Sequence, residues 1–261
     1  MAASLVTDTP PRFRSLAKQH AQRVPQPSDI IASSFTSPID ALYLAAIFDP
    51  IFTASYPHNR QLQKITLFGA IMRAFSVPQE HPPPNVRLTT IRDLLRENPN
   101  RVIVVFPECT TTNGRGILPF SPSLLSAPAG SKIFPVSLRY TPGDVTTAAP
   151  GLYWTFLWNI LSKPTHCIRV RIAEVVYNVS STSSSKLDGM SVCGEIEGVA
   201  TGTETSTSAN GRLGSVMTIE EKKVLEKVGE ALARLGRVKR VGLGVKEKVE
   251  YVEVWKASQR R

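Results

Sequence analysis

The chain has 261 residues, of which 42% are hydrophobic and 20% charged, and its formal net charge is +10. This length and composition fit one sizeable folded domain with appendages and argue against a largely disordered protein. Its three cysteines are far apart, which argues against a disulfide framework or a cysteine-based zinc site. The basic balance favours an anionic partner, such as nucleic acid, an anionic membrane or a phosphorylated substrate.

The N-terminal part of the chain predicts a strand followed by a well-capped helix. Residues 1–28 show no regular apolar pattern and are interpreted as a flexible segment. A short strand is expected over residues 30–34. Ser37 then suits the N-cap, Pro38 the first helical position and Asp40 the third, so a helix is predicted through the apolar run that follows.

The middle of the chain alternates between helical and extended patterns. Apolar spacing predicts helices over residues 65–75 and 88–98. The β-branched run 102–106 (VIVVF) is typical of a central strand covered on both faces. Two more strands are predicted over residues 132–140 and 168–176, the second of them half-exposed at a sheet edge.

This order of elements predicts an α/β fold with a mostly parallel central sheet flanked by helices. Active sites in such sheets lie beyond the carboxyl ends of the strands. The loops that follow residues 34 and 106 both leave such ends. We therefore expect these two loops to meet.

The aromatic segment 151–161 (GLYWTFLWNIL) has two interpretations. Its length is that of a buried core helix, and it is too short to cross a bilayer. Its two Trp, one Tyr and one Phe are also typical of a helix at a membrane interface. No stretch of the sequence reaches the roughly 18 apolar residues of a membrane span.

Composition divides the chain into four segments. The flexible start, residues 1–28, precedes a main domain over residues 29–177. Residues 178–217 are rich in Ser, Thr and Gly and are interpreted as a low-complexity insertion. Residues 218–261 begin with a capping-box helix and continue as a basic segment, in which residues 249–254 predict a short strand or helix. We expect this segment to pack on the main domain. Its basic side chains, Lys248 among them, form either a grip on anionic membranes or an ordinary solvated face.

The most informative stretch is 106–116 (FPECTTTNGRG). It resembles the phosphate-side motif of the glycerolipid (lysophospholipid) acyltransferase family, which reads Phe-Pro-Glu-Gly-Thr. Residues 37–40 resemble the end of that family's first motif, His followed by four residues and Asp. Residues 134–138 (FPVSL) resemble its last motif. The resemblance spans about residues 29–176 and is strongest to fungal lysophosphatidic acid acyltransferases.

The resemblance implies a set of site residues. Asp40 takes the place of the Asp that orients the family's catalytic His, but Phe35 stands where that His is expected. A phenyl ring cannot accept a proton, so the expected general base is missing. The implied substrate- and phosphate-binding residues are Glu108, Cys109, Thr110, Thr111 and Arg115. No metal is implied, and no cofactor is expected beyond acyl-CoA as co-substrate.

Several of these residues have alternative explanations. Asp40 fits a structural helix cap, and Glu108 fits a hydrogen bond within its own loop. His58 or His81 is either a substitute base or a plain loop residue. Cys109 replaces the motif Gly, which is costly if the backbone needs φ > 0. Its thiol is either inert or the nucleophile of an acyl-cysteine intermediate.

The implied function is transfer of a fatty acyl group from acyl-CoA to a lysophospholipid, with lysophosphatidic acid as the expected acceptor. The alternative is a catalytically silent family member that binds lysolipid or acyl-CoA as a regulator or scaffold. A third possibility is an incomplete chain, since family members often carry an N-terminal membrane segment. We expect peripheral membrane contact at the cytosolic face of endoplasmic reticulum or lipid droplets. Nucleic-acid binding is not expected, because no basic–aromatic module is present.

Overall fold

The computed structural model of the chain describes residues 23–147, 149–178 and 217–259. The strands are β1 (Ile30–Ser33), β2 (Ile51–Ala54), β3 (Leu62–Ile65), β4 (Leu88–Thr89), β5 (Ile103–Val105), β6 (Gly116–Ile117), β7 (Lys132–Thr141), β8 (Cys167–Ile172), β9 (Val176–Tyr177) and β10 (Lys239–Arg240). The α-helices are α1 (Pro38–Phe48), α2 (Leu67–Phe75), α3 (Ile91–Glu97), α4 (Tyr153–Leu161), α5 (Ile219–Gly236) and α6 (Val245–Gln259). Short 3₁₀ turns occupy Pro122–Ser126 and Gly143–Val145.

A mixed sheet forms the centre of the molecule. Its inner strands run in the order β2-β5-β1-β7 and are parallel to one another. Strands β3 and β4 extend one edge in antiparallel fashion, and β8 and β9 pair antiparallel with β7 at the other. The predicted α/β fold with a mostly parallel central sheet is therefore confirmed, and the VIVVF run supplies the buried interior strand β5.

Helices cover both faces of this sheet, because alternate side chains of each strand point to opposite sides. Ile30 and Val105 belong to an apolar cluster with helices α3 and α5. Ile31 and Val104 belong to a second cluster, with helices α1 and α2. The sheet is thus enclosed between two apolar layers, while its carboxyl-end loops remain free to form a site.

Local capping explains where two of the helices begin. Ser37 and Asp40 form a reciprocal capping box at the start of α1, and Thr218 and Glu221 form another at the start of α5. Each box satisfies backbone N–H groups that have no partner inside the helix. Both capping predictions are confirmed.

Some predicted elements differ from the structure. Strands β2 and β3 were not predicted, and the segment expected to be helical from residue 88 forms β4 before α3 begins at Ile91. The second half of the strand predicted over residues 168–176 is interrupted after Ile172. In the C-terminal segment, residues 249–254, predicted as a short strand or helix, lie within the longer, 15-residue helix α6. The predicted insertion at residues 178–217 lies almost wholly outside the described residues, as does most of the predicted flexible start.

The aromatic segment is a surface helix. Helix α4 has no buried residue, and Trp154 and Trp158 are 82% and 72% exposed. The core-helix interpretation of residues 151–161 is therefore wrong, because length and hydrophobicity cannot distinguish a buried helix from an interfacial one. None of the described helices has the length and apolar character needed to span a bilayer.

Candidate active site

Two loops meet at the carboxyl ends of the neighbouring parallel strands β1 and β5. Thr112 N–H, in the loop after β5, donates to the Phe35 carbonyl, in the loop after β1, at 2.9 Å. A third segment joins them, because Thr147 N–H donates to the Thr36 carbonyl and Thr111 Oγ1 donates to the Thr147 carbonyl. The structure thus brings together the two motif regions, as the parallel sheet predicts. We call residues 33–40 the first-motif loop and residues 106–116 the second-motif loop.

Asp40 is the buried anion of the first-motif loop. Its Oδ2 accepts from Thr36 N–H at 2.6 Å, Ser37 N–H at 2.9 Å and Thr36 Oγ1 at 3.2 Å, while Tyr140 OH donates to Oδ1. Burial raises the pKa of Asp40 to about 6, against the opposing effect of these hydrogen bonds. At neutral pH the carboxyl is therefore mainly ionised, although Phe35, five residues before it, supplies no imidazole.

Phe35 fills the position of the expected base with an apolar ring. Its side chain is 2% exposed and stacks on Phe106, with ring centroids 4.4 Å apart. The pair joins the two motif loops by aromatic packing. Of the candidate substitute bases, His58 lines a cavity of about 390 Å³ beside Glu108, whereas His81 lines none of the cavities at the motif loops.

Glu108 is the buried carboxyl of the second-motif loop. Its Oε2 accepts from Leu118 N–H at 3.1 Å, whereas its buried Oε1 has no hydrogen-bond partner of good geometry among the described residues. Burial raises the pKa of Glu108 to about 8, against the weaker effects of nearby backbone N–H groups and of Lys248. At neutral pH this carboxyl is mainly protonated.

Cys109 occupies the left-handed region of backbone space, with φ of 60°. This is the conformation for which glycine is the default residue, so the Cys side chain at the motif's Gly position is strained. Burial raises the pKa of the Cys109 thiol to about 12. Thiolate is the reactive form, so this cysteine is not prepared to act as a nucleophile.

The remaining sequence-predicted residues of the second-motif loop divide into a buried and an exposed group. Thr110 and Thr111 are buried, and Arg115 is exposed. No hydrogen bond or ion pair of the Arg115 side chain is found within the described part of the chain. Arg73 of α2 donates to the Ser55 carbonyl at 3.2 Å and lies over the Tyr56 ring.

Two site residues were not predicted. Tyr140 reaches Asp40 from the end of β7, and Lys248 reaches the second-motif loop from helix α6, where its Nζ donates to the carbonyl and to Oγ1 of Thr111. Burial lowers the pKa of Lys248 to about 8, opposed by the nearby Glu108. Both contacts join residues at least 100 positions apart, so no local pattern signals them.

Two further cavities border the second-motif loop. One of about 350 Å³ is lined by residues that include Met72, Arg73, Cys109, Thr110 and Tyr153. Another, of about 380 Å³, is lined by residues that include Thr111, Thr112, Leu118, Lys248 and Tyr251. No group of three metal-ligating side chains occurs among the residues described.

Comparison with known proteins bears on this geometry. A family model described as Acyltransferase matches residues 5–139, more than half of the chain. The chain is also 28% identical over 153 residues to a Schizosaccharomyces pombe protein named "Putative lysophosphatidic acid:oleoyl-CoA acyltransferase". That alignment covers 57% of this chain and 49% of the relative, so the chain spans about half the length of the curated relative it matches.

Proposed function

Because the chain belongs to the acyltransferase family, we propose that it transfers a fatty acyl group from acyl-CoA to the hydroxyl of a lysophospholipid, with lysophosphatidic acid as the acceptor. The observation that carries this proposal is the contact between the two motif loops, which sets an ionised Asp40 beside a polar, threonine-rich loop. In the reaction the acceptor oxygen bonds to the thioester carbonyl carbon. The C–S bond breaks, and the hydroxyl proton ends on the sulfur of CoA.

The proton transfer is the weak step of this site. A general base typically contributes about 10²–10⁴-fold in rate, and Phe35 cannot serve as one. The titratable groups that remain nearby include Asp40, Glu108 and Lys248. Positioning of the two substrates alone still accelerates transfer, so we expect a slow enzyme.

The acylation assay tests this function directly. Purified protein is given labelled oleoyl-CoA and lysophosphatidic acid, and formation of the diacyl product is followed alongside CoA release. Release of CoA without diacyl product would indicate thioester hydrolysis, which contradicts the acceptor assignment. Absence of both products in a protein that still binds both ligands would favour the silent, binding-only role, for which the buried Phe35–Phe106 stack is the supporting observation.

We further propose that helices α2 and α4 contact the membrane that supplies the lipid. Phe75 of α2 packs against Tyr153 and Phe156 of α4, with ring centroids 4.7 and 5.2 Å apart. Around this contact the two helices expose large apolar side chains, namely Phe68, Met72, Trp154, Leu157, Trp158 and Leu161. Trp and Tyr favour the headgroup level of a bilayer, and the cytosolic face of endoplasmic reticulum or lipid droplets is the location we propose.

Vesicle flotation tests the membrane face. We expect the double variant Trp154→Ser with Trp158→Ser to bind phospholipid vesicles about 10-fold or more weakly, because two exposed indoles no longer enter the interface. Tyr177→Ser, which removes an exposed aromatic from β9, is the matched control and leaves binding unchanged. Equal flotation of both variants and the wild type would contradict the proposed face.

A further inference from the structure

Lys248 is a cation brought to the second-motif loop from a distant part of the chain. Its Nζ donates to the Thr111 carbonyl and, at 3.1 Å, to Thr111 Oγ1, although the two residues are 137 positions apart. It also lies outside residues 5–139, the part of the chain that the family model matches. Lys248 therefore reaches the motif loop from outside the part of the chain that the family model matches.

The start of helix α6 is fixed on the same loop, so Lys248 has a defined place. Strand β10 pairs in parallel with β6, at the end of the second-motif loop, and Val241 N–H donates to the Ile117 carbonyl at 2.9 Å. The approach is close enough to require glycine at position 116, where a Cβ would lie 2.6 Å from Cγ2 of Val241. The pairing of β6 with β10 and the hydrogen bonds of the Lys248 side chain together hold the ammonium at Thr111.

The ammonium group has no paired anion in the described structure. It has three N–H donors, and the two acceptors on Thr111 are neutral oxygens. Glu108 lies near enough to affect it electrostatically but forms no ion pair with it, and it is mainly protonated at neutral pH. Glu247, on the same helix, accepts instead from Gly244 N–H at 2.6 Å. A largely buried ammonium with neutral acceptors favours the arrival of an anion.

The cavity beside Lys248 has room for that anion. Its volume is about 380 Å³, and its walls include Thr111, Lys248 and the apolar side chain of Leu118. Glu247 also lines it, with its carboxylate hydrogen-bonded to a backbone N–H of its own helix start. We propose that Lys248 is a binding residue for a phosphate group of a substrate in this cavity, a role that rests on the proposed acyl-transfer function. Two sources carry such a group, namely the lysolipid headgroup and coenzyme A.

Binding of one ligand at a time tests this role without requiring turnover. The ligands are lysophosphatidic acid, monoacylglycerol with the same acyl chain, and coenzyme A. We expect Lys248→Met to weaken at least one phosphate ligand by about 10- to 100-fold and to leave monoacylglycerol unchanged. Loss confined to lysophosphatidic acid identifies the lipid headgroup as the source, and loss confined to coenzyme A identifies the donor. Lys256→Met removes an exposed lysine from the same helix and leaves all three affinities unchanged.

The contrary outcomes separate this inference from the function it rests on. Equal affinities of wild type and Lys248→Met for both phosphate ligands overturn it, as does an equal loss for monoacylglycerol, which signals general damage to the fold. If the protein shows no turnover but its affinity for a phosphate ligand still depends on Lys248, the acyl-transfer proposal is contradicted and the anion site stands. A wild type that binds none of the ligands would remove both.

If Lys248→Met does not fold, the pH dependence of ligand binding by the wild type and Lys248→Arg tests the same role. Burial lowers the pKa of Lys248 to about 8. The groups facing it are Glu108 on the loop and Glu247 and Tyr251 on α6. We expect phosphate-ligand affinity of the wild type to fall as pH rises through 8, whereas Lys248→Arg stays charged and keeps its affinity. Parallel curves for the two proteins would overturn the inference.

Discussion

The two motif loops each bury a carboxyl group, but they hold it differently. Asp40 accepts four hydrogen bonds, including that from Tyr140, and stays mainly ionised at neutral pH. Glu108 accepts one well-formed hydrogen bond and is mainly protonated. Both side chains are at most 1% exposed. The number of donors, rather than burial alone, therefore decides which loop carries the negative charge.

The loops also differ in the side chains that they present to the site. The first-motif loop has an ionised carboxylate but an apolar ring, Phe35, where a base is expected. The second-motif loop keeps its polar threonines and gains Lys248 from helix α6. For the proposed acyl transfer, this comparison means that polar groups for binding are present while position 35 offers no proton acceptor.

The largest expected effect comes from restoring that acceptor. Phe35→His puts an imidazole five positions before Asp40, the spacing of the family's first motif, and we expect it to raise the acylation rate by about 10²-fold or more. Tyr140 OH already occupies Oδ1 of Asp40, so the gain is expected to be largest when Phe35→His is combined with Tyr140→Phe. The measurement is product formation per folded protein, with the folded fraction taken from thermal unfolding.

Tyr140→Phe alone is the control for the double variant. It frees the carboxylate without supplying a base, so its rate should stay at the wild-type level. A double variant that binds both substrates but is no faster than the wild type would show that the first-motif loop lacks more than its imidazole.

The next effect concerns the protonated carboxyl of the second-motif loop. Glu108 binds its proton more tightly in the folded protein than in the unfolded chain, where its ordinary pKa is 4.5. Stability is therefore lost as pH rises from about 4.5 to about 8. Glu108→Gln cannot ionise, so the wild type should lose roughly 2–4 kcal/mol of unfolding free energy relative to it over this window. Urea unfolding at pH 5 and pH 8 measures the change.

Lys248 affects stability in a different pH range, so its effect can be told apart from that of Glu108. Its lowered pKa has the opposite sign, because the folded protein releases this proton more easily than the unfolded chain, and stability is regained between about pH 8 and 10.5. If the wild type and Glu108→Gln instead show the same pH dependence below pH 8, Glu108 ionises as readily in the folded protein as in the unfolded chain.

The smallest effect isolates the backbone strain at position 109. Cys109→Gly and Cys109→Ala both remove the buried sulfur, but only glycine adopts φ of 60° without a Cβ clash. The glycine variant should be more stable than the alanine variant by about 1 kcal/mol, measured as a difference in unfolding free energy. Equal stabilities would mean that the loop relaxes to a different conformation once the sulfur is gone.

A structural feature was predictable where the residues that encode it are close together in the sequence. The capping box of Ser37 and Asp40 and the continuous strand β5 are encoded within a few neighbouring residues, and both were predicted. Strands β2 and β3 escaped prediction because each has only four residues and lies in a stretch rich in turn-forming residues. The exposure of α4 was not predictable from length, since a nine-residue apolar helix fits either a core or a membrane interface.

The site was predictable only where it follows the sheet. Parallel neighbours β1 and β5 bring their carboxyl-end loops together, so the meeting of the two motif loops follows from the order of elements. Tyr140 and Lys248 join the site through contacts of 100 and 137 positions, which only the folded chain reveals. In the sequence, Lys248 is one of several basic residues in a segment that fits either a membrane contact or a solvated face.

The separation of Thr111 and Lys248 also sets an order in time. Ribosomes add about 5–20 residues per second, so a span of 137 positions delays Lys248 by about 7 to 27 seconds after Thr111. Strands β1, β2 and β5 precede Thr111, and β7 is completed within that interval, so all four parallel core strands are synthesised before Lys248 is added. The second-motif loop therefore acquires its cation as a late event of biosynthesis, after the strands that position the loop.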